Sequence, residues 1–66
     1  MANIRKEIMK AAKAATFCAL RGDSERAAQH EEKIRLLYEQ CLDTLLRESL
    51  LEDEERGRRI AEGVSE

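Results

Sequence analysis

Proline and tryptophan are missing from this chain of 66 residues, phenylalanine and tyrosine occur once each, and glycine three times. Without proline nothing in the sequence forces a helix to break, and with so few aromatic residues a strand-based fold has little to build on. A β or α/β fold is therefore not supported. Long apolar runs are missing as well, so no segment is expected to span a bilayer. No leader-like stretch is recognisable, and the expected compartment is the cytoplasm. Histidine occurs once and cysteine twice. A zinc site needs about four donors and a nucleophile needs a base beside it, so neither a metal, a cofactor nor an enzyme activity is expected.

What the chain does have is charge, at 39% of residues, and good helix formers. The formal net charge of -2 is unevenly spread: the first 21 residues hold Arg5, Lys6, Lys10, Lys13 and Arg21 against Glu7 alone, whereas Glu52, Asp53, Glu54 and Glu55 run together near the other end. Net charge thus gives no support to nonspecific nucleic-acid binding, although a basic first helix can still act locally.

The apolar residues form two heptad stripes. Ile4, Ile8, Ala11, Ala15 and Cys18 step by four and three, and Ala27, His30, Ile34, Leu37 and Cys41 do the same beyond the polar break Arg21-Gly22-Asp23-Ser24. The reading is an all-α antiparallel helical hairpin, with helix one over about 2–20, a turn at 21–24 and helix two over about 24–49. Gly22 suits the left-handed position that ends a helix, and Asp23 or Ser24 can cap the next. The pairing sets Ile34 across from Ala11, Leu37 across from Ile8 and Cys41 across from Ile4. Cys18 and Cys41 then lie roughly 20 Å apart along the axes at about 1.5 Å per residue, too far for a disulfide, which needs Cα atoms within about 7 Å. Both are expected to be reduced, and neither to lie beside His30. The histidine reads as a register-fixing polar residue on the seam.

Helix two outruns its partner on this reading, which leaves Leu42, Leu45, Leu46, Leu50 and Leu51 without cover. Two arrangements would bury them. Ser49-Leu50-Leu51-Glu52 has the form of a capping box, so a short third helix over about 50–62 can fold back along helix one, setting Glu52 to Glu55 near Lys6 and Lys10 and Ile60 and Val64 toward Phe17 and Leu20. Alternatively, residues 50–62 extend helix two and the leucine ends of several chains associate into a helical bundle. Gly57 would weaken a third helix by about 1 kcal/mol, and the reading favours self-association.

The candidate interaction surface is accordingly the leucine group, with a homo-oligomer or a larger helical protein as partner. A second surface is the basic strip of Lys6, Lys10, Lys13, Phe17 and Leu20 on the outer side of helix one, suited to an acidic helix or to phosphates. The stretch AAKAATFCALRGDSERAAQ, Ala11 to Gln29, resembles the helix-turn-helix of tetratricopeptide repeats and of microtubule-interacting-and-trafficking domains, in which a Gly-Asp turn precedes an alanine, though the tetratricopeptide aromatic positions are missing. In size and layout the chain is also similar to the plasmid copy-control protein Rom and to the small helical co-chaperones of type III secretion. No motif assigns it to any of these. The resulting expectation is a noncatalytic protein–protein interaction module (adaptor, regulator or co-chaperone), with a Rom-like nucleic-acid-binding regulator as the alternative.

Overall fold

The computed structural model describes residues 3–64, apart from the side chain of Val64. Three helices account for nearly all of them: α1 over Ile4–Leu20, α2 over Ser24–Gln40 and α3 over Thr44–Val64. The expected start of helix one at Ala2 lies outside the described residues. Asn3 opens α1, its side chain accepting from the Arg5 amide at 3.1 Å. The helix closes as the turn chemistry requires: Gly22 takes φ of +84°, which lets its amide donate to the Ala19 carbonyl and that of Asp23 to the Cys18 carbonyl. Asp23 then caps α2, accepting from the Arg26 amide at 3.2 Å.

The hairpin core follows the two stripes. Ile8, Ala11, Ala15, Ile34, Leu37 and Cys41 are buried in one cluster, with Ile4 packed against it. Alanines on α1 facing larger residues on α2 permit close packing of the two backbones.

Helix two does not run on to Ser49. It stops at Gln40, and Asp43 starts α3 by accepting from the amides of Leu45 at 3.0 Å and Leu46 at 3.3 Å. The Arg47 guanidinium donates to the carbonyl of Tyr38, one of those left open at the end of α2. Ser49 and Glu52, expected as a capping box, lie inside α3. The break comes early because an aspartate before two leucines caps two amides at once, and because a turn here swings Leu46, Leu50 and Ala61 back onto α1. The third helix is longer than expected, begins earlier, and folds back within the chain. The helical extension of helix two is therefore replaced by a helix packed along α1.

Gly57 makes this packing possible. A Cβ there would lie 2.5 Å from the Met9 carbonyl oxygen and 3.3 Å from the Ala12 Cβ, so the two backbones touch where neither carries bulk. Helix α1 is the central element, with α2 on one side and α3 on another. The outer helices meet through polar side chains: the Tyr38 hydroxyl donates to Glu54 at 2.8 Å, and Arg58 donates to Glu31 at 2.8 Å. Among the described residues no helix is long and apolar enough to cross a membrane.

Candidate interaction surfaces

The leucine group divides. Leu50 is fully buried in the chain's own core and Leu46 packs against that core, so neither is free to meet a partner as expected. Leu42 and Leu45, on either side of the Asp43 cap, remain 93% and 76% exposed, and Leu51 is exposed on another side of α3. The helical period explains the split: Leu46, Leu50, Asp53, Gly57 and Ala61 recur at four and three and point at α1, which turns Leu45 outward. Glu48 and Glu52 follow Leu45 at i+3 and i+7, so this outward edge is a short leucine ridge flanked by acid.

The basic strip divides too. Lys10, Lys13 and Phe17 join Ala11, Ala14 and Cys18 from α1 and His30 and Lys33 from α2 around an open groove of about 550 Å³. Its lining is mainly apolar, with small alanines in place of larger side chains, and the lysines stand at its edge. Met9, Ala12 and Thr16, which meet α3, lie on a different side of α1 from Lys10, Ala14 and Phe17, so the third helix leaves the groove open. The Arg21 guanidinium sits over the Phe17 ring at 5.2 Å to the centroid, holding that wall through a cation–π contact. Lys6 is elsewhere, lining a small cleft with Arg5, Met9 and Asp53, and Leu20 is exposed outside the groove. Ile60, expected against Phe17 and Leu20, is partly exposed on α3, and the side chain of Val64 lies outside the described residues.

The groove also takes in residues outside the expected strip, Ala11, Ala14 and Cys18 from α1 and His30 and Lys33 from α2. Lys33 follows His30 at i+3 on the side of α2 that borders the groove, a signal visible only once the hairpin pairing is known. His30 and Cys18, expected apart, both line the groove because the pairing puts them only three residues apart in level on facing helices, about 4.5 Å at about 1.5 Å per residue. No hydrogen bond joins them.

A separate polar cluster forms around Arg58. Arg58 reaches all three helices, donating to Thr16 at 3.3 Å, to both oxygens of Glu31 at 2.8 Å and to Glu54 at 2.9 Å. Its hydrogen bonds hold the Glu31 carboxyl below the usual carboxylate range and raise the guanidinium's own value, with Glu31 the main cause of the latter. Burial, then the hydrogen bond to Glu54, pushes the Tyr38 phenol above its usual value. Nearly buried Asp53 accepts from Arg5 at 2.8 Å. Among the described residues every buried side-chain nitrogen or oxygen has a partner, and no three His, Cys, Asp or Glu side chains form a metal-holding group. Among the described residues the ion pairs that form between helices or along them use arginine, and Lys10, Lys13 and Lys33 enter none of these.

No family model, curated protein or solved structure matches the chain.

Proposed function

We propose that this chain is a noncatalytic protein–protein interaction module of the adaptor, regulator or co-chaperone kind, working in the cytoplasm with both thiols reduced. Its working surface is the groove between α1 and α2. The observation that carries this reading is the pairing of an apolar floor with a rim of lysines that form no ion pair among the described residues. Such a groove suits an amphipathic segment that presents leucines between acidic residues: the apolar face leaves water while each rim lysine meets an opposite charge. The polar side chains that do converge, around Arg58, are committed to one another across the three helices and leave no spare acid, base or nucleophile there.

The test is a titration of the labelled protein with a synthetic amphipathic helix of alternating leucine and glutamate faces, followed by backbone amide shifts. Shifts at Lys10, Lys13, Phe17, His30 and Lys33, weakened by K13E, support the proposal. An absence of shifts overturns it. The nucleic-acid reading rests on the same lysines, and a 12-base-pair duplex tests it separately. Phosphate binding by three lysines falls steeply between about 50 and 200 mM salt, whereas an apolar contact persists.

A further inference from the structure

We infer that the groove receives the leucine ridge of a second copy of this chain, so that two copies close a reciprocal pair. The inference rests on the interaction reading above and names its partner.

The two surfaces complement each other in three respects. In shape, the groove has alanine floors at Ala11 and Ala14 where the ridge offers the projecting side chains of Leu42 and Leu45. In polarity, a mainly apolar lining meets the two most exposed leucines of the described chain. In charge, Lys10, Lys13 and Lys33 would face Glu48 and Glu52; among the described residues neither glutamate makes a contact ion pair, Glu52 acting only at longer range on Arg5. Separately, each surface is an apolar feature exposed to water; together they remove each other's exposure.

The layout also permits closure. The ridge lies at the end of the molecule where α1 begins, because Ile4 packs against the cluster that contains Cys41. The groove is centred near Ala14, about 15 Å further along α1 at about 1.5 Å per residue. In an antiparallel pair the offset along the axis between ridge and groove is the same in both directions, so the two contacts would stand at matching levels. Both contacts form at once, giving a twofold pair instead of an open chain of copies. A protein of this size has a small core and gains from such an assembly.

Charge reversal provides the test, using exposed positions so that folding is not at stake. Sedimentation equilibrium over a dilution series should show a dimer for the native chain. The variant K10E/K13E/K33E sets glutamate against glutamate, and E48K/E52K sets lysine against lysine. Each alone should raise the dimer dissociation constant by at least about tenfold. Mixed in equal amounts, they restore both contacts and should form a one-to-one heterodimer. L45D should raise the dissociation constant similarly, and circular dichroism confirms that each variant is folded. A native chain that stays monomeric to millimolar concentration overturns the inference, as does a dimer indifferent to these changes. If that monomer still binds the synthetic leucine–glutamate helix in its groove, only the identity of the partner is wrong. If it binds neither, the interaction reading falls as well.

Discussion

Replacing Gly57 with alanine sets two effects of opposite sign against each other. Within an isolated helix the change stabilises by about 1 kcal/mol, because alanine loses less backbone freedom on folding. In this fold the new methyl would stand 2.5 Å from the Met9 carbonyl oxygen, 3.2 Å from the Lys13 amide nitrogen and 3.3 Å from the Ala12 Cβ. A comfortable carbon–oxygen contact starts near 3.3 Å, so α3 must withdraw by about 0.8 Å, and the obstacle is backbone that cannot rotate aside. A gap of that size forfeits about a quarter to a half of the dispersion energy of the facing atoms, and overpacking of this kind costs about 1–3 kcal/mol. Taking the upper end, the net loss is about 2 kcal/mol, which lowers the melting temperature of so small a domain by about 8–16 °C. Thermal unfolding followed by circular dichroism at 222 nm measures it. The control is G63A, where an added Cβ meets nothing within 4 Å and the helical preference acts alone, so the melting temperature should hold or rise. A G57A protein at least as stable as the native chain would refute the close crossing of α1 and α3.

Other outcomes follow from the polar contacts. R5A should destabilise more than D53N, measured by urea midpoint, because it strands a nearly buried carboxylate while the amide variant leaves only an exposed guanidinium without its charge partner. Tyr38 is the one tyrosine and tryptophan is absent, so absorbance at 295 nm reports its ionisation cleanly. Its folded value is raised, so the stability it contributes is intact below about pH 10 and is lost as pH climbs beyond that. Phenolate should therefore appear above pH 10 and in step with loss of helix, and Y38F should remove the feature at a cost of about 1 kcal/mol. Glu31 is shifted the other way: its contribution is present above about pH 4.3 and disappears as pH falls through the lowered folded value. The acid limb of the stability profile should accordingly be shallower in E31Q, and a limb of unchanged slope would count against the Arg58 contact.

The hairpin was legible because its determinants are local. A repeat of four and three, a glycine at φ of +84° and an aspartate one residue later specify two helices and the turn between them. The third helix was legible only as an option, and its start was misplaced. The heptad spacing continues through Leu45, and Ser49 with Glu52 matches a cap, which hides the cap at Asp43 although it stands directly before the new helix. Gly57 misled for a deeper reason: propensity counts it as a weakness, while its value lies in an approach between residues 9–13 and 57 that no local window contains. On the surface, Lys10, Lys13 and Phe17 could be grouped by helical spacing. His30 and Lys33 could not, since their membership depends on how deep α2 sits against α1. Leu50 reads as a partner contact from the sequence because only the folded-back helix, which local spacing does not favour, buries it.

On the proposed reading, the lysine-edged groove and the leucine ridge are the surfaces through which this protein makes contact. Backbone amide spectra of the labelled chain, recorded from micromolar to millimolar concentration, address both at once. Concentration-dependent shifts are expected in two groups, one around Lys10, Lys13, Phe17, His30 and Lys33 and the other from Leu42 to Glu52, with the Arg58 side of the molecule unmoved. Shifts confined to that Arg58 side would contradict the reading, as would spectra unchanged by dilution in a chain tumbling as a single copy.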